Sequence, residues 1–95
     1  MTPTYIILRL KIEEKRAGKA KYSPETILFI EETVAHFIRI YDIQDKTFEI
    51  VVRTKDGIMS SCHIKMSFDI FRYFVRAHGS VEMLERDYEI IEKFA

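Results

Sequence analysis

A cysteine beside a histidine is the raw material of a thiol nucleophile, and it occurs once in the chain, at Cys62-His63. Such a nucleophile needs its imidazole within hydrogen-bond reach to take the thiol proton. The residues on either side alternate as in a strand, and neighbours along a strand project to opposite faces. The two side chains therefore cannot act together, and Cys62 is expected as a small buried core residue.

The other residues capable of chemistry fare no better. His36, His63 and His78 fall on three different elements, with no Cys or His at ligand spacing beside any of them, so no metal site is expected. The neighbouring carboxylates Glu13-Glu14 and Glu31-Glu32 diverge on any regular element. Glu82, Glu85 and Glu89 share a face if their segment is helical, which is the solvated side of an amphipathic helix and not an acid–base pair. Gly18, Gly57 and Gly79 match no nucleotide-binding fingerprint. The chain is thus expected to be non-enzymatic, with no catalytic residue and no cofactor.

Basic residues carry more weight. Arg9 and Lys11 precede a candidate phosphate-contacting loop, Lys15, Arg16, Lys19 and Lys21, and Arg53 and Lys65 lie further along. If their strands pair, these cations form one field that could contact nucleic acid. Glu13 and Glu49 interrupt the field, and Tyr5 is the one aromatic expected on that face, so a base-stacking platform is missing. Glu49 is expected opposite His63, a pairing that would favour the imidazolium.

The elements that place these residues follow from periodicity. Tyr5–Glu13 alternates, with Ile6, Leu8, Leu10 and Ile12 on one face. Glu14–Tyr22 is an exposed basic loop. Ser23-Pro24-Glu25 has the cap, proline and acid of a helix start, and Ile27, Ile30, Val34, Phe37, Ile38 and Tyr41 continue one stripe. Lys46–Met66 reads as a hairpin around Lys55-Asp56-Gly57. A two-residue turn would set Ile50 against His63, whereas a three-residue loop sets Phe48 against Ile64, Ile50 against Cys62 and Val52 against Ser60. The matched faces favour the bulged three-residue loop with Gly57 left-handed. Ser67 and Asp69 open a second helix that ends near Gly79, and Ser80 caps a last helix over Val81–Phe94.

These elements amount to one α+β domain over residues 1–95 in the order β-α-β-β-α-α. A three-stranded, mainly antiparallel sheet with helices on one face is expected, and it resembles a ferredoxin-like split βαβ unit lacking its final strand. The first strand lies antiparallel beside the third or parallel beside the second.

Composition agrees with a packed domain: 95 residues, 47% hydrophobic and 32% charged, with a formal net charge of +0. Bulk charge therefore does not attract polyanions. A single cysteine leaves no intrachain disulfide, and no basic segment leads into a long apolar run, so a cytoplasmic, membrane-free setting is expected.

The remaining feature is apolar surface with no assigned cover. Ile7, Val51 and Met59 belong to the open sheet face with Arg9, Lys11, Glu49, Arg53, His63 and Lys65. Phe29 and Ile40 on the first helix and Met83, Ile90 and Phe94 on the last form a candidate helix interface. A protein-interaction or regulatory module is the leading expectation, acting as a homodimer through its open sheet face or its C-terminal helix, or docking another protein. Nucleic-acid binding is the alternative.

Overall fold

The computed structural model describes residues 4–11 and 24–94. Strand β1 (Tyr5–Leu10) is followed by helix α1 (Pro24–Ile40), strands β2 (Phe48–Lys55) and β3 (Ile58–Ser67), helix α2 (Phe68–His78), the one-turn helix α3 (Val81–Leu84) and strand β4 (Tyr88–Phe94). The fold is α+β. Its sheet has four strands in the order β2-β3-β1-β4, and every neighbouring pair is antiparallel.

The core lies between one sheet face and the two long helices. Ile6, Leu8 and Leu10 of β1 and Cys62, Ile64 and Met66 of β3 meet Ile30, Val34 and Phe37 of α1 and Ile70, Phe71 and Phe74 of α2. Alternation in β1 and β3 puts every second residue on this face, which is why each central strand contributes three buried side chains to it. Phe48, Ile50 and Val52 of the edge strand β2 are only half-buried against it.

The C-terminal segment corrects the expected last helix. Ser80 does cap a helix, accepting from the Met83 backbone N–H at 3.2 Å, but that helix ends at Leu84 and β4 begins at Tyr88. Leu84, Tyr88 and Ile91 have helical spacing, yet Tyr88 and Ile90 also alternate with Glu89. Pairing decides between the two readings. An unoccupied edge of β1 would leave its backbone groups without partners, and β4 supplies them along six residue pairs from Tyr5↔Phe94 to Leu10↔Tyr88. Ile91 is the extra residue of a bulge, since Ile7 faces Glu92 and Leu8 faces Ile90. Ile90 consequently packs on the core and belongs to no helix interface, and Phe94 ends a strand.

The hairpin is corrected in a different way. Asp56 and Gly57 both have positive φ, 54° and 77°, as a two-residue type I′ turn requires, and Lys55 pairs with Ile58. The faces still match because a bulge at Ser60 intervenes: Thr54 faces Met59 while Arg53 faces Ser61. The Ser60 hydroxyl donates to the Arg53 carbonyl at 3.0 Å across it. From there on Val52 faces Cys62, Ile50 faces Ile64 and Phe48 faces Met66, two residues from the expected register. Inserting one residue by bulge does what a longer turn was expected to do. The same bulge carries Met59 to the helix side, where it packs against the core and leaves the open face.

Local polar contacts fix the joints. Helix α1 ends with Asp42 at φ 48° and the Ile43 N–H donating to the Ile38 carbonyl at 3.2 Å, a Schellman-type stop that buries Ile43. Asp45 then accepts from the Thr47 N–H and hydroxyl at 3.0 and 2.6 Å, which holds its carboxyl below the ordinary range. Ser67 is buried and satisfied twice: its hydroxyl donates to the Asp45 carbonyl at 2.9 Å and accepts from the Ile70 N–H at 3.3 Å. One serine thus caps α2 and ties its start to the approach of β2.

A candidate interaction surface on the open sheet face

No helix among the described residues covers the second face of the sheet. The strand register turns it into two rows. Glu49, Lys65, Ile7 and Glu92 follow one another across β2, β3, β1 and β4, and Val51, His63, Arg9 and Glu89 form the next row. Cations therefore occupy the two central strands, and carboxylates lie on both edge strands.

Each central cation is engaged locally. Arg9 pairs with Glu89 through its guanidinium. The Lys65 ammonium sits 4.2 Å from the centre of the Tyr5 ring, a cation–π contact, and Lys65 also faces Glu49. Lys11 donates its ammonium to the Glu85 carbonyl, and its backbone N–H donates to Asp87 at 2.9 Å, so the chain leaving β1 is tied to the turn before β4. His63 lies between Val51 and Arg9, and Glu49 faces Lys65; the expected Glu49–His63 pairing is not formed.

Of the residues expected on this surface, Arg9, Lys11, Glu49, Val51 and Arg53 are exposed, and Ile7, His63 and Lys65 are half-buried. Met59 is the exception, on the opposite face. The loop residues Lys15, Arg16, Lys19 and Lys21 lie outside the described residues. Glu89, expected on the solvated face of a helix, and Glu92 stand instead on β4 beside this surface; the alternation of Tyr88, Glu89 and Ile90 is the signal that could have placed them. At one end of the face, beside the Ser60 bulge, Arg9, Leu10, Lys11, Ser60, Ser61 and Glu89 line a hollow of about 440 Å³.

The helix residues divide. Phe29 is 68% and Ile40 58% exposed on α1, and Met83 on α3 is also exposed. Ile90 and Phe94 belong instead to strand β4. Half-exposed Tyr41 stacks on Tyr73 with ring centres 3.9 Å apart, tying the C-terminal end of α1 to α2.

The residues with nucleophilic or titratable side chains are dispersed. Cys62 is fully buried in the core, and burial pushes its thiol from 9.0 to about 11, so the protonated form prevails at neutral pH. The Tyr88 phenol is pushed up by burial and by nearby Asp87 and Cys62. His78 donates through Nδ1 to the Phe74 carbonyl at 2.8 Å and meets the Tyr88 ring edge-on. Among the described residues no three His, Cys, Asp or Glu side chains gather where they could hold a metal ion. Nor is any described helix long and apolar enough to cross a membrane.

No protein-family model matches the chain, and no curated protein or solved structure does.

Proposed function

We propose that the protein is a non-enzymatic interaction module that works as a homodimer in the cytoplasm. The observation that carries this reading is the amount of large apolar side chain left in solvent: Leu28, Phe29, Ile40, Val51 and Met83 are each at least 42% exposed in a chain of 95 residues. Small monomers seldom leave such groups uncovered in water, whereas interfaces use them. With the one-turn α3 set aside, the path β-α-β-β-α-β and sheet order 2-3-1-4 resemble a ferredoxin-like split βαβ arrangement, an architecture that leaves one sheet face for a partner. Fold alone assigns no function, so the weight rests on the surface. Replacing Phe29 or Val51 with glutamate tests it. Association should weaken while the circular-dichroism spectrum of the folded chain is retained, and association unaffected by both changes would exclude these surfaces from the interface.

A second reading is favoured by one specific feature, the lane of Arg9, His63 and Lys65 down the two central strands. A basic lane of this kind could follow a phosphate backbone. Glu49, Glu89 and Glu92 flank it on both sides, and Arg9 and Lys65 already have partners, so protein partners fit the surface better. Titration with labelled single- and double-stranded oligonucleotides at low salt separates the two readings.

A further inference from the structure

Strand β2 is an edge, eight residues long, and contains no proline; among the described residues no strand lies along its outer side. Edges of this length are usually blunted by proline, by a bulge or by an inward charge. The one bulge of this hairpin lies on β3, and Lys55 stands only at the tip.

The backbone of β2 is poised for pairing. Ser67 donates its N–H to the Thr47 carbonyl at 2.9 Å, and these residues continue the register in which Glu49 faces Lys65 and Val51 faces His63. In an antiparallel ladder the residues that bond to the neighbour alternate with residues whose N–H and C=O point the other way. Thr47, Glu49, Val51 and Arg53 therefore address β3, and Phe48, Ile50 and Val52 present their backbone groups outward.

The side chains of the strand complement themselves. Glu49 and Arg53 are exposed on the same sheet face, with exposed Val51 midway between them. We propose that a second copy of this chain adds along the outer edge of β2, antiparallel about a twofold axis at Val51, so that Glu49 of each copy meets Arg53 of the other. Val51 then meets its own counterpart, and Ile50 and Val52 exchange backbone hydrogen bonds across the axis. Two four-stranded sheets become one of eight. The pairing is isologous, as a twofold interface must be. Strand addition of this kind draws affinity from the main chain and specificity from the alternating side chains.

The helix side of the same edge fits. A groove of about 300 Å³ runs between α1 and β2, lined by Glu31, Val34, Ala35, Ile38, Phe48 and Ile50. Leu28, 55% exposed, continues its α1 row at helical spacing. A second copy paired at Val51 brings its own α1 flank toward this groove and covers it.

This inference rests on the homodimer reading and is tested so that the two can fail separately. Sedimentation equilibrium is run on the full chain, on E49R, on R53E and on an equimolar mixture of the two variants. Each variant alone replaces both opposite-charge contacts with like-charge ones and should weaken the dimer by about tenfold. In the mixture every contact is again between opposite charges, and affinity should return. Glu82→Arg, which changes net charge equally but sits on α3, should leave the dimer intact. Amide exchange at Ile50 and Val52 should slow as concentration rises. A wild-type dimer insensitive to E49R and R53E overturns the edge pairing and keeps the homodimer. A chain that stays monomeric at every concentration overturns both.

Discussion

Arg9 and Glu89 stand directly across from each other on β1 and β4 and form an ion pair on the open face of the sheet. The pair exists because the C-terminal segment is a strand. As a helix it would have turned Glu89 toward solvent elsewhere, and Arg9 would have lacked a carboxylate across from it. Both members are about half exposed, so the pair contributes little to stability; its consequence is electrostatic, since it neutralises the middle of a basic lane.

Charge reversal at Glu89 and Glu92 tests that consequence. Glu89→Gln alone should change stability by less than about 1 kcal/mol, as exposed pairs do. The double variant E89K/E92K should bind single-stranded oligonucleotide at low salt where the natural chain binds weakly, measured by fluorescence anisotropy. Equal binding by both would show that the carboxylates do not mask the lane.

Ser67→Ala should destabilise the fold, because it removes a buried hydroxyl that makes two hydrogen bonds. It deletes the α2 cap and leaves the Asp45 carbonyl without its donor. About 1–3 kcal/mol of stability should be lost in urea unfolding, from the cap and the buried acceptor together.

The two positive-φ joints should respond in opposite directions. Gly57→Ala meets no atom within 4 Å, yet its φ of +77° strains any L side chain, so about 1 kcal/mol should be lost. Asp42→Gly relieves a left-handed non-glycine at φ 48° and should stabilise by a few tenths of a kcal/mol to about 1 kcal/mol. Thermal melts of the two variants should move apart on either side of the natural chain.

Alkaline pH should destabilise the fold through Cys62. Its thiol ionises at 9.0 when unconstrained and at about 11 in the core, so between those values the unfolded chain has released a proton that the folded chain still holds. Fewer protons on the unfolded state means stability falls as pH rises through this window, by at most about a factor of ten in the folding constant per pH unit. Tyr88, also pushed up, adds to the slope. Cys62→Ala should remove the cysteine part, and denaturation curves at pH 8 and pH 10.5 should therefore differ less for the variant than for the natural chain.

Much of this architecture was legible from periodicity. The apolar alternation of Ile6, Leu8 and Leu10, the wide stripe on α1 and the Ser67 and Ser80 caps all correspond to observed elements. The misplacements arise where one pattern serves two periods or where a local insertion resets a register. Leu84, Tyr88 and Ile91 satisfy a helix, but the vacant edge of β1 is a long-range demand that no local pattern expresses. The Ser60 bulge likewise hides in an ordinary Ser-Ser pair, and it alone decides that Met59 faces the core and that Asp56-Gly57 makes a two-residue turn. For the surface, the open-face residues of β1 and β2 could be read from alternation. The carboxylates that flank them could not, because their strand was unrecognised. The edge exposed at β2 became visible only once strand order was known.

Multi-angle light scattering of the natural chain over a wide concentration range reads the homodimer itself. The mass should rise from 11.3 kDa to twice that value and level there. A mass fixed at 11.3 kDa up to the highest soluble concentration would contradict it.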